Sequence, residues 1–388
     1  MDREAPLSAA DEPEVVKVAR RVVSDAAAEL LDWSAAPIEH VGIIDTTGGL
    51  HRVAGQVRSH GAETEWSCAL KVLKRPQFVE CLDPSSWCYW LREAEFYAST
   101  LPSNLPAPMR VPNAYGVVAG DDEAHIWMEH ITAPSSWWGL EDFRRAAHAA
   151  GLSAGAFLTG RPLPDEPWLV RGFLGSLLAD GGFWATMMDA ESGEAWRSPF
   201  AESFDARTRE RVLRVWADRA ALLSTLDALP TVFGHGDFHP RNLLLPAGVE
   251  EIVALDWAFC GPSPLGTELA DLIGVAAWFC DIEMADFPAI EQSAFAVYEE
   301  ALRAVGWDGD ARLVRLGYAS AIALRLGACM PGWAAEMLGP EQAPSSELLY
   351  GRPAETILAT WIALEDVCLD LADEARELAA QLGLGQQP

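Results

Sequence analysis

Asp237, Asn242 and Asp256 present a carboxylate, an amide oxygen and a second carboxylate within one short span. They lie in FGHGDFHPRNLLL and the IVALDW that follows it, with Asn242 five positions after Asp237 and Asp256 nineteen after it. These are hard oxygen donors, the kind magnesium requires. Phosphoryl transfer makes little covalent demand on a protein. It needs a carboxylate to orient or receive the acceptor's hydroxyl proton, and a metal to neutralise charge on the phosphates. Asp237 suits the first task, and Asn242 with Asp256 the second. A lone D-x-x-x-x-N would be read as a turn whose polar side chains bond backbone. The longer H-G-D-x-H-x-x-N string, ahead of an apolar strand ending in Asp-Trp, favours the chemistry.

That string resembles the catalytic loop and metal-binding strand of the aminoglycoside phosphotransferase and choline kinase group, relatives of the protein kinases. His235-Gly236-Asp237 stands where protein kinases have H-R-D, and Asp256-Trp257-Ala258 where they have D-F-G. The absent arginine argues against control by a phosphorylated activation loop. The resemblance implies a protein-kinase-like α+β fold with a small antiparallel sheet in front and a large, mainly helical lobe behind. It also implies ATP, with GTP as an alternative, together with Mg2+.

The resemblance further implies a lysine on the third strand and a helix glutamate to hold it. Lysines are scarce, only Lys17, Lys71 and Lys74, and Lys71 sits in the A-L-K-V setting of SCALKVLK. On a two-residue period it shares a face with Ala69 and Leu73. Glu93 and Glu95 compete as its partner. Glu93 is favoured because it precedes Tyr97 by four residues, and Glu95 stays open. Thr46, Thr47 and the Gly48 amide are the candidates for covering phosphate, although Asp45–Gly49 is not G-x-G-x-x-G and reads equally as a plain turn. IWMEHI resembles the hinge, with Met128 and Ile131 against adenine. His239 either donates to the transferred phosphate or braces the loop. Glu268 and Asp271 read as structural caps.

Several elements must position these residues. Apolar spacing predicts a helix over 14–32, strands over 38–44, 50–58 and 65–73, a helix over 87–100, and strands over 113–118 and 125–129. Helices are then expected over 140–158, 168–180, 204–227, 267–280, 289–305, 310–329 and 354–383. They are interrupted by short strands at 243–245 and 251–255 inside the catalytic segment 233–257. The expected division is a nucleotide-binding lobe over 1–130 and a helical lobe with the acceptor site over 131–388, with a hinge near 129–135. Trp137, Trp138, Trp168, Trp184 and Trp196 fall where relatives build the acceptor site, though tryptophan at helical spacing is more often core.

Composition limits the partners. Fifty-seven acidic against 28 basic residues give a net charge of -29, which disfavours nucleic acid and anionic membranes. The same field would draw a cationic acceptor, so an amino-sugar or amino-alcohol is the leading acceptor class. Choline, homoserine or a neutral sugar are the alternatives. The seven cysteines are scattered without a C-x-x-C pair, so neither a zinc site nor a disulfide framework is expected. The acidic start has no apolar leader, and Arg325 interrupts the most apolar helix, so a cytoplasmic protein is expected. Oligomeric state leaves no signal.

Overall fold

The computed structural model describes residues 11–38, 47–132, 137–191 and 193–384. Helix α1 (Glu12–Val22) buries Val15, Val18 and Ala19. It is followed by strands β1 (Glu29–Pro37), β2 (Thr47–Ser59) and β3 (Ala62–Lys74), helix α2 (Arg92–Ala98), a short strand β4 (Met109–Arg110), and strands β5 (Ala114–Ala119) and β6 (Glu123–Glu129). Five of these form one antiparallel sheet in the order β1-β2-β3-β6-β5. Period-two alternation divides β3. Cys68, Leu70 and Val72 face α1 in a small core with Val53, Val57 and Trp127. Ala69 and Leu73 face the other way, into the large core that runs through the helical part.

The start of the chain departs from expectation. The helix stops at Val22, because Ser24 adopts φ 56° and Asp25 folds its N–H back onto the Arg20 carbonyl. The first described strand is Glu29–Pro37, and the expected strand over 38–44 lies, apart from residue 38, outside the described residues. Leu30, read as helical, still packs on the α1 core, but from a strand. Thr47–Gly49 do not form a turn. They belong to β2, where the pairing slips between Thr47↔Leu73 and Gly49↔Val72.

Helix α2 is also shorter than the expected 87–100, since the segment before it is a loop. Cys81 and Cys88 are joined there in a disulfide, against the expectation that none forms. The scattered spacing hid the bond because a seven-residue separation has no signature of its own. The other five cysteines are buried and free.

Behind the sheet, α3 (Leu140–Leu158) packs along Phe287–Ala304, and Gly151 allows the contact, since a Cβ there would lie 2.6 Å from the Tyr298 carbonyl oxygen. The expected helix over 168–180 is only Phe173–Leu177, followed by Phe183–Met188, in a stretch broken by Gly172, Gly181 and Gly182. The helix over 204–227 divides at Asp218 into Ala206–Ala217 and Arg219–Asp227. Helices Met330–Met337 and Ala343–Tyr350 were not foreseen. The run Arg312–Met337 is long and apolar enough to cross a membrane by length and composition, but 83% of its most apolar window is buried inside the molecule, as in a core helix.

Two helical stretches, Ala270–Val275 and Ala323–Gly327, are π-helical. They face one another closely, since a Cβ on Gly274 would lie 3.1 Å from Ile322 and 3.4 Å from Leu326.

Candidate active site

Strand Thr231–Gly234 delivers the chain into the loop His235–Asn242, and strand Ile252–Ala254 delivers Asp256 beside it. The loop is held from inside by His235. Its Nε2 donates to the Leu255 carbonyl at 2.7 Å, and its Nδ1 accepts the Asp237 N–H at 3.2 Å. With one ring nitrogen donating and the other accepting, the imidazole is neutral, and burial holds its pKa down to about 4. Glu268 closes the other side by accepting the N–H groups of His235 and Gly236 at 3.0 and 3.2 Å. Glu268 is thus a brace for the loop.

The glycine of H-G-D has a steric cause. Gly236 sits at φ 79°, and a Cβ there would approach the Phe259 carbonyl oxygen to 2.4 Å. Any side chain, an arginine included, would collide with the segment after Asp256.

Asp237 is held at both oxygens. Oδ2 lies 3.2 Å from His239 Nε2 and accepts from Asn242 Nδ2 at 2.9 Å, while Oδ1 accepts from Arg325 Nη2 at 2.8 Å. Burial alone would raise this carboxyl. His239, Arg325 and His235 outweigh it and hold the group well below the usual carboxylate range. Arg325 also pairs with Asp271 through Nη1. In the sequence Arg325 reads only as a charge interrupting an apolar helix, and Asp271 only as a cap. The single available signal was the cost of an unpaired cation in that helix, which demands a partner.

Lys71 shares its face of β3 with Ala69 and Leu73 and is 8% exposed. Its Nζ lies 2.5 Å from Glu93 Oε2 and 3.1 Å from Asp256 Oδ1. Burial opposes the ammonium, but Asp256 and Glu93 raise its pKa and keep it charged. Glu95 is exposed, so the pair with Lys71 is made by Glu93. Asp256 itself adopts φ 59°, a left-handed backbone rare outside glycine, asparagine and aspartate.

Helix α2 owes its position to Arg92, the residue before Glu93. Fully buried, it donates to the carbonyls of Trp168 at 2.5 Å, Trp87 at 2.8 Å and Ala258 at 2.8 Å, and to that of Ser86. One guanidinium thus ties the disulfide-closed loop to the segment after Asp256, and Trp87 stacks on Phe259 at 6.3 Å.

The remaining candidates are less tightly joined. Met128 is buried on β6 opposite Ala69, and Ile131 is half-buried just past that strand. Thr47 and Gly48 lie on β2, with Gly48 against the Lys74 side chain, while Thr46 lies outside the described residues. Trp168 and Trp184 are core residues. Trp137 and Trp138 instead wall a cavity of about 500 Å³ with Arg241, Asp281 and Tyr350. Asp281 is engaged by Arg241 at 2.9 Å and Glu283 by Arg352 at 2.9 Å, so neither acid faces the cleft alone.

Residues 136–307 match the model of the phosphotransferase enzyme family (APH), a span that includes the whole loop and the strand before Asp256. No curated protein matches the chain. Among solved structures, amicoumacin kinase hAmiN in complex with AMP-PNP, Ca2+ and Ami is similar at 12% identity, covering 94% of this chain and 96% of that one, with a TM-score of 0.48. A choline/ethanolamine kinase family protein from Mesorhizobium loti is similar at 14% identity over 95% and 98%, TM-score 0.44. Aminoglycoside phosphotransferase APH(3'')-Id from Streptomyces rimosus is similar at 18% over 81% and 98%, TM-score 0.38. Likenesses at this level carry no residue assignments. The resemblance seen in the sequence agrees with the family model over residues 136–307, and the fold is α+β, an antiparallel sheet followed by a mainly helical part.

Proposed function

We propose that the protein transfers the γ-phosphate of Mg-ATP, with GTP as the alternative donor, to a hydroxyl of a small molecule. The observation that carries this reading is the joining of Lys71 to both Glu93 and Asp256 beside a loop that fixes Asp237. Residues 1–130 would form the nucleotide lobe and 131–388 the acceptor lobe.

The donor set suits a magnesium ion. Asn242 commits its NH2 to Asp237, at 3.0 Å to the carbonyl and 2.9 Å to the carboxylate, which leaves the amide oxygen as the acceptor end. Asp256 already attracts one cation, Lys71. When bound, the ion would neutralise charge on the phosphates. Lys71, held by Glu93, would bind the phosphates, while Thr46, Thr47 and Gly48 would cover them, and Met128 and Ile131 would line the adenine site. Asp237 would accept a hydrogen bond from the acceptor hydroxyl. Its pKa is held low, so its main contribution is orientation, which suits a loose transition state needing little proton removal before bond breaking. His239, fixed on Asp237, would steady that carboxylate and face the transferred phosphate.

For the acceptor, the amino-sugar or amino-alcohol class rests on the net charge of -29, because Asp281 and Glu283 are already paired with arginines. That pairing favours a neutral polyol more than the sequence alone did. Calorimetry on Asp256→Ala tests the nucleotide half of the reading. Mg-ATP binding should be lost, and equal affinity in variant and parent would remove Asp256 from the metal site. Screening alcohols for ATP consumption identifies the acceptor.

A further inference from the structure

We propose that Arg325, seated by Asp271 on paired π-turns, is the positioning residue for Asp237. The inference rests on the reading of Asp237 as the group that orients the acceptor hydroxyl.

A short carboxylate in a loop can rotate about its side-chain bonds, and a hydrogen bond to one oxygen leaves the other free to swing. Asn242 and His239 both hold Oδ2. Among the described residues only Arg325 holds Oδ1, through Nη2 at 2.8 Å. Its other arm, Nη1, reaches Asp271 Oδ1 and the Gly236 carbonyl, the latter at 3.3 Å. One planar fork thus grips the carboxylate, the backbone just before it and a core helix together. A lysine has a single ammonium on a flexible stem and cannot reproduce that geometry.

The fork is itself well seated. Arg325 lies over the Phe173 ring at 5.4 Å, and the Asp271 side chain is 9% exposed. Both residues stand in π-helical turns, Ala323–Gly327 and Ala270–Val275. Such turns insert an extra residue per turn and recur at functional sites. The two helices meet at Gly274, and the second is pinned where a Cβ on Gly317 would lie 1.8 Å from the Leu265 carbonyl oxygen. The close approach fixes how far Arg325 stands from the loop. An arginine needed only to neutralise Asp271 would require neither π-turn nor a bond to the loop.

The test uses the full chain with MgATP alone, where water replaces the unidentified acceptor, and compares R325M, R325K, D271N and D237A. Arg325→Met should lower the kcat of ATP hydrolysis about tenfold or more while KM for MgATP stays within about twofold. Arg325→Lys should restore part of kcat. Asp271→Asn, which keeps the bond to Asp237, should lower kcat less than Arg325→Met, and it covers the case in which R325M does not fold. A D237A variant with low kcat beside an R325M, or if that is unfolded a D271N, of normal kcat overturns the inference and leaves the proposed function standing. A D237A variant of unchanged kcat overturns both. Equal loss in R325M and R325K that follows their melting temperatures would reduce Arg325 to a structural residue and overturn the inference.

Discussion

Two cations, each bridging two carboxylates, flank the segment 233–257, and they are built in different ways. Lys71 stands on a strand and joins Glu93 of a seven-residue helix to Asp256. Arg325 stands deep in the helical part and joins Asp271 to Asp237. The lysine is a point charge with three rotatable donors, so it can leave Asp256 for a phosphate without dismantling anything. The arginine is a planar fork whose partners fix its plane. The first cluster suits a group that must change partners during a reaction, and the second a group that must not move. In both, one acid comes from the segment 233–257 and the other from a helix that holds the cation in place.

The sharpest way to break this comparison is to remove the acid of the rigid cluster. Asp237→Ala should cut turnover on the true acceptor at least about a hundredfold, with ATP affinity nearly unchanged, because the Lys71 cluster does not involve it. Steady-state kinetics with the best alcohol from the screen provides the check, and near-normal turnover would take Asp237 out of the mechanism.

Arg92 offers a second test, since the mobile cluster has a rigid support of its own. The guanidinium binds four carbonyls and, among the described residues, no carboxylate, and burial lowers its pKa to about 10. Arg92→Met would leave those carbonyls without a buried donor, at a cost of about 3 kcal/mol. Denaturant unfolding should show the loss. A variant as stable as the parent would mean that α2 is held by its apolar face alone.

A smaller effect separates the two glutamates. Glu93→Gln removes the charge beside Lys71 and should raise KM for ATP about tenfold, or about 1.4 kcal/mol. Glu95→Gln, on the exposed face, should change nothing. Equal behaviour of the two variants would show that the 2.5 Å contact to Lys71 does not order the nucleotide site.

The contrast between the clusters also explains what the sequence could disclose. Lys71 was legible because lysine is scarce and β3 alternates cleanly, so its face and neighbours followed from period two. Asp237, Asn242 and Asp256 were legible because their spacing is local. Arg325 was not, since its partners lie 54 and 88 positions away and a π-turn shifts side chains off the 3.6-residue face on which helical reading depends. Glu268 looked like a helix cap for the same reason: its real partners, the N–H groups of His235 and Gly236, are brought to it only by tertiary packing. The β1 error was different in kind. Leu30 does serve the core expected of it, and hydrophobic periodicity could not tell a helix from a strand once the chain had turned at Ser24.

The rigid side of the comparison also carries the chain's clearest pH signature, and its sign separates the groups. Burial, with Asp271 adding to it, raises the Glu268 carboxyl to about 8 from a reference of 4.5. The folded protein therefore holds more protons than the unfolded one between those values. The Glu268 contribution to stability is complete below 4.5 and is lost as pH rises through 8. Asp271, raised to about 6 chiefly by burial, has the same sign in a lower window. His235 runs the other way, because burial holds it at about 4 against a reference of 6.5, so its contribution is lost as pH falls through that interval. Below pH 6.5 these terms oppose one another, and above it Glu268 alone of the three remains. The Glu268 share of the unfolding free energy should then decline between pH 6.5 and 8 by up to about 1.4 kcal/mol per pH unit. Glu268→Gln keeps an acceptor for the two N–H groups and should make the slope shallower by that share. Equal slopes above pH 6.5 in the parent and Glu268→Gln would mean that the His235 and Gly236 N–H donors outweigh burial and keep Glu268 ionised in the fold.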